Sequence, residues 1–103
     1  MPNQPIVLIN LLKAHPGKQP TLMALLKKNT DTVVKTLAGW RSTHLIAAED
    51  GESIVIYSEW KSLAAVDAMR SDERMKAYLP KILELGSLES VIGSVVATQT
   101  AGA

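Results

Sequence analysis

SIVIYSEWKSLAAVDAMRSDERMKAYL, residues Ser53–Leu79, reads as a buried strand followed by two helical pieces. Ser53–Trp60 is dense in β-branched and aromatic residues, the composition of a strand on a pleated, packed surface. Lys61-Ser62 is a turn, and Ser62 is placed to cap a short helix running through Met69. Ser71 is placed to cap a second, with Asp72 and Glu73 favourable at its positive end. Pro80 lies inside that second piece and predicts a kink or split, because proline lacks an N–H and crowds the preceding turn. Gly86 predicts its end.

The flanking sequence extends the pattern in both directions. Pro5–Leu12 is apolar and β-branched and reads as the first strand. His15-Pro16-Gly17 is a turn, and Pro20 suits the first turn of a helix. Leu22, Leu25, Leu26, Asn29, Val33, Val34 and Leu37 recur at helical spacing, and Gly39 is placed to stop that helix. Trp40–Ala48 reads as a strand joined to Ser53–Trp60 by an antiparallel hairpin over Glu49-Asp50-Gly51-Glu52. Val91–Thr100 reads as the last strand, ahead of a frayed Thr100–Ala103 tail.

The order is βαββαβ, an α+β, ferredoxin-like unit with a four-stranded antiparallel sheet. Right-handed crossovers put both helical segments on one face of the sheet. Yet Ile6, Val7, Leu8 and Ile9, like Ile54, Val55 and Ile56, send apolar side chains to both faces. The uncovered face then needs a partner, and a second copy of the sheet is the simplest one. Patterning alone therefore predicts a homodimer with its sheets back to back.

The chain's 103 residues fit a single domain, 1–103. Its net charge of +1, with basic and acidic residues interleaved, argues against a nucleic-acid partner. The absence of cysteine excludes disulfides and thiolate metal sites. Met1-Pro2-Asn3-Gln4 lacks the charged start of a leader, and Ile6–Leu12 is too short for a membrane span. These features predict a cytoplasmic protein without a membrane partner. The metal, dinucleotide and phosphate-binding motifs are missing, and neither His15 nor His44 has a second ligand at close spacing.

The candidate site residues are the polar and aromatic side chains that interrupt apolar elements. Asn10 interrupts the first strand on the Ile6/Leu8/Leu12 face, either as a structural amide or as a donor aimed at a ligand. His44, on the Ser42/Ile46 face, is an interface histidine or a general base. Tyr57 and Trp60 are three apart, so they share a pocket only if the strand ends or bulges at Trp60. Trp60 reads foremost as a core anchor, and the Tyr57 phenol needs a partner in the protein or a ligand. Tyr78 and Met69 read as pocket walls, with Met75 beside them. Arg70 and Arg74, four apart, read as one solvated helix face carrying salt bridges.

An aliphatic strand leading into Tyr57-x-Glu59-Trp60, then a capped helix with Ser62, Ala64, Ala65 and Ser71, resembles the antibiotic biosynthesis monooxygenase family. Gly39-Trp40 is similar to the family's usual entry to its second strand. The resemblance covers roughly Pro5 to Thr100 and implies a dimeric α+β barrel. It also implies oxidation of a small aromatic, phenolic or quinol compound by dioxygen, with no metal, flavin or other cofactor. Asn10, His44 and Tyr57 would then be catalytic, His44 as base. Trp60, Tyr78 and Met69 would bind substrate in a pocket between sheet and helices. Tyr57 and Trp60 match pocket residues of such members. Ile56, Val66 and Met69 stand where many carry an Asn, an aromatic and a His. Asn10 also matches the strand position of an Asn in related haem-degrading enzymes, whose Trp and His places hold Met69 and Leu79. A non-catalytic, dimeric ligand-binding or interaction module is the alternative reading.

Overall fold

The computed structural model describes residues 5–102. The elements are β1 (Ile6–Ala14), α1 (Gln19–Thr32), a 3-10 turn (Val34–Thr36), β2 (Trp40–Ala47), β3 (Ser53–Trp60), α2 (Leu63–Ser71), α3 (Glu73–Leu85) and β4 (Gly86–Ser94). The sheet is antiparallel throughout, in the order β2-β3-β1-β4. This is the expected ferredoxin-like arrangement. Met1–Gln4, on which the expectation of no leader rests, and Ala103 of the expected tail lie outside the described residues. Among the described residues no helix is long and apolar enough to cross a membrane.

Both helical segments cover the face that carries the even-numbered residues of β1 and β3. Leu12, Ala14 and Ile54 pack with Leu22 and Leu26 of α1 and Ile82 of α3. Leu8 and Trp60 pack with Val34 and with Val66 and Met69 of α2. Each fully buried side chain of this kind contributes about 1.5–3 kcal/mol. The opposite face carries two lateral rows. One is His44–Tyr57–Ile9–Val91, and the other is Ile46–Val55–Leu11–Glu89. Leu11, Ile46 and Val91 are exposed there.

Several boundaries differ from expectation for identifiable reasons. β1 runs two residues past Leu12, because Lys13 and Ala14 pair with Ser87 and Gly86. A side chain at position 86 would collide with the Lys13 carbonyl, so only glycine allows β4 to start there. β4 accordingly spans Gly86–Ser94 rather than Val91–Thr100, and Val95–Thr100 lies beyond the sheet. α1 ends at Thr32, and the stripe continues through the 3-10 turn, which buries Val34. Gly39 adopts φ 86°, and a Cβ there would clash with Ala65 of α2. It serves a close approach at the entry to β2, not the end of α1 itself.

Asp72, not Ser71, caps the second helical piece. Its carboxylate accepts from the Arg74 and Met75 N–H groups, while its own N–H bonds to the Met69 carbonyl. One residue therefore ends α2 and starts α3. Arg74 also forks onto Asp72 at 3.2 Å, which holds the Asp72 carboxyl below its usual range and the Arg74 guanidinium above its own. Arg70 and Arg74 consequently sit on different helices and share no face. α3 passes through Pro80 without splitting. Pro80 lies on the exposed side, where water can meet the carbonyl it leaves unpaired.

The β2–β3 hairpin is closed by Asp50. Its carboxylate accepts from the Ser53 N–H, the Glu52 N–H and the Ser53 hydroxyl, and these bonds hold its pKa down at about 2. A carboxyl lowered on folding stabilises the fold above its unfolded pKa of about 3.9, and that stabilisation is lost as pH falls toward about 2. Urea unfolding at pH 5 and pH 2.5 should therefore show a smaller drop in midpoint for Asp50→Ala than for the wild type. Equal drops would mean that the carboxylate does not hold the turn.

Candidate functional site

A cavity of about 370 Å³ lies between the helix-facing side of the sheet and α1, α2 and α3. That volume is within the range of about 300–1,000 Å³ typical of small-molecule sites. Its walls are chiefly apolar: Leu8 and Leu12 of β1, Ile56 of β3, Leu26 of α1, Ile82 of α3, and the two methionines. Met69 lies in the last turn of α2 and Met75 in the first turn of α3, and both line the cavity. The space is thus not filled by the methionines. A smaller cavity of about 60 Å³ adjoins it, reaching Thr43, Ser58 and Trp60.

The polar groups are few and placed apart. Asn10 projects from β1, and its Oδ1 accepts from the Ser90 hydroxyl on β4, directly across the register. That bond engages one lone pair of the acceptor, and the Asn10 Nδ2 group carries the donors of the amide. Tyr78 of α3 is half-buried in the wall, with the Lys81 ammonium 5.5 Å from its ring centroid. Arg70 and Lys76 line the cavity and are exposed, which puts two cations at its solvent side. Lys76 makes a loose, exposed pair with Glu73 at 3.7 Å, the kind that contributes little. Among the described residues no Asp, Glu or His lines this space.

The structure brings together Asn10, Met69 and Tyr78 of the expected site, and separates the rest. Trp60 is 1% exposed, and its Nε1 donates to the Ser58 hydroxyl, which in turn donates to the Leu8 carbonyl. It is the core anchor and touches only the smaller cavity. His44 and Tyr57 do not reach either cavity. β3 stays regular to Trp60, so Tyr57 points to the opposite face, where its ring lies 6.0 Å from that of His44. The bulge that could have redirected a side chain sits on β2, between Trp40 and Ser42. Strand geometry therefore places His44 and Tyr57 on the face opposite Asn10.

Lys76, Ser90, Arg70 and Asn29 were not expected as cavity residues. Ser90 was assigned no strand, because β4 begins five residues earlier than its apolar run suggests. Arg70 was read as a solvated surface. Asn29 was counted within the apolar stripe of the first helix, where an amide among leucines and valines is itself a signal. Asn29 is 6% exposed, lines both cavities, and its Oδ1 is buried without a hydrogen-bond partner among the described residues.

Residues 5–81 match the family model described as antibiotic biosynthesis monooxygenase. Over 71 residues, 69% of this chain, the sequence is 31% identical to tetracenomycin-F1 monooxygenase of Streptomyces glaucescens. The match spans 63% of that relative's length, so less than two thirds of it. Among solved structures, a Mycobacterium tuberculosis protein superposes with a TM-score of 0.81 at 22% identity, covering 93% of this chain and 99% of that one. SnoaB, a cofactor-independent oxygenase from Streptomyces nogalater, superposes with a TM-score of 0.81 at 14% identity, covering 92% and 96%. At these identities the two structures speak to the fold.

The division between anchor and pocket wall has a measurable consequence. Trp60→Ala should lower unfolding stability by about 3–5 kcal/mol, the usual cost of emptying a large core site. A loss below about 1 kcal/mol in urea titration would mean that Trp60 is not the core anchor.

Proposed function

Because the chain belongs to the antibiotic biosynthesis monooxygenase family, we propose that it is a cofactor-independent monooxygenase for a small phenolic, quinol or anthrone-like compound. The observation that carries this reading is the apolar cavity of about 370 Å³ with an amide donor at Asn10 and the cations Arg70 and Lys76 at its open side. An apolar cavity takes an aromatic ring system out of water, and cations nearby favour its ionised form. Ionisation is the step that matters, since an electron-rich phenolate or enolate reacts with dioxygen without assistance from another reductant.

For an anthrone-like methylene the step balances as follows. The ring methylene loses a proton, and the carbanion bonds to dioxygen as a hydroperoxide after taking up a proton. The O–O bond then breaks with loss of water and leaves a carbonyl. One substrate and one dioxygen give one ketone and one water. In this scheme Arg70 and Lys76 stabilise the anion, Asn10 donates to its oxygen, and Tyr78 and Met69 hold the ring plane.

No histidine or carboxylate among the described residues lines the cavity, so in this scheme the proton goes to solvent and rate should follow substrate ionisation. Oxygen uptake with a panel of quinols and anthrones should exceed the rate without protein and rise with pH through the bound substrate's pKa. Arg70→Gln combined with Lys76→Gln should move that rise to higher pH. No uptake above background across the panel would remove the enzymatic reading. Binding without turnover would instead leave the ligand-binding module, which the lack of a cavity base favours.

The same reading includes a homodimer formed through the open face, a single domain, and a cytoplasmic location. Ile9, Leu11, Ile46, Val55 and Val91 support the dimer, because a water-facing sheet does not ordinarily carry so continuous an apolar patch. A paired sheet would complete an α+β barrel and bury His44 and Tyr57 at the interface. Light scattering at micromolar concentration should give a dimer mass, and Leu11→Glu should shift it toward the monomer while preserving the far-ultraviolet circular dichroism. A wild-type monomer would overturn the dimer.

A further inference from the structure

Asn29 is the one buried polar side chain whose acceptor has no partner among the described residues. It sits on α1 facing the sheet and is 6% exposed. The cavities it lines also carry donors at Asn10, Thr30, Thr43 and Ser58, yet none of them bonds to the Asn29 Oδ1. The helix does not need the side chain, since the 3-10 turn is tied to the Asn29 backbone carbonyl through the Val33 N–H. Buried acceptors are almost always satisfied, and a lone one among apolar walls costs stability. A leucine would continue the stripe of Leu22 and Leu26 without that cost.

We propose that Asn29 is a ligand-anchoring residue whose Oδ1 accepts a hydrogen bond from a hydroxyl on the aromatic ligand, so that the cavity selects hydroxyaryl compounds over their ethers. This rests on the reading of the cavity as an aromatic site, and it adds the ligand's polarity. Asn29 on α1 and Asn10 on β1 line both cavities from opposite walls. The Asn10 Nδ2 group donates and the Asn29 Oδ1 accepts, so a ring between them presents an oxygen to the sheet and a hydroxyl to the helix. An ether or a quinone carbonyl at the helix side would leave Asn29 unpaired and lose the preference.

The test compares 2-naphthol with 2-methoxynaphthalene, read by quenching of tryptophan fluorescence and by calorimetry. These probes are stable in air and need no turnover. The wild type should bind 2-naphthol about tenfold more tightly than the ether, the size expected for one buried hydrogen bond. Asn29→Leu should bind the two alike and should unfold at higher urea concentration, since it loses an orphaned amide. Asn29→Ala provides the same comparison if leucine overfills the site. Equal wild-type affinities, a preference retained in both variants, or no binding of either compound would each overturn the proposal. A preference abolished by Asn29→Leu in a protein that takes up no oxygen would support it while removing the monooxygenase reading. Oxygen uptake with an unaltered preference would do the reverse.

Discussion

β1 is paired on both sides, to β3 along Ile6–Lys13 and to β4 along Ile6–Ala14, and everything else is placed relative to it. A central strand exposes no backbone edge, so its residues are sorted only by which face they address. Leu8, Asn10, Leu12 and Ala14 face the helices, while Val7, Ile9 and Leu11 face away. The chain cannot move one of these residues to the other face without slipping the register and moving all of them. Gly86 makes the β4 side of this pairing feasible, because the Lys13 backbone lies where a side chain would be.

The strict two-residue period gives the sheet two separate tasks. One face, with α1, α2 and α3, encloses an apolar cavity. The other is a flat patch that a second sheet could cover. Asp72 sets the cavity's shape by ending one helix and starting the next within a single residue. A continuous helix would keep Met69 and Met75 on one rod. The break separates α2 from α3, and both line the cavity.

Much of this was legible along the chain. The order of elements, the boundaries of β3, the hairpin at Asp50 and the apolar excess on both faces follow from period and turn chemistry, which are local properties. The family pattern through Tyr57-x-Glu59-Trp60 is likewise linear. The misplaced start of β4 has a physical cause: Gly86–Ser90 is weakly apolar, and it is a strand only because β1 offers it partners. The cap falls to Asp72 and not to the expected Ser71, because the Asp72 carboxylate satisfies two N–H groups at once.

The site divides along the same line. Residue types along the chain were enough to identify the polar and aromatic positions, Asn10, His44, Tyr57, Trp60 and Tyr78, and the βαββαβ order in which they occur. Which of these meet was decided in three dimensions. Asn10 and Ile56 are 46 positions apart in the chain and adjacent across the register, whereas Tyr57 and Ile56 are neighbours that point to opposite faces. A pocket is assembled from lateral pairs and helix faces, and the spacing that governs them is set by pairing partners far along the chain. For that reason Asn29, Arg70, Lys76 and Ser90 line the cavity, while His44 and Tyr57 lie on the other face.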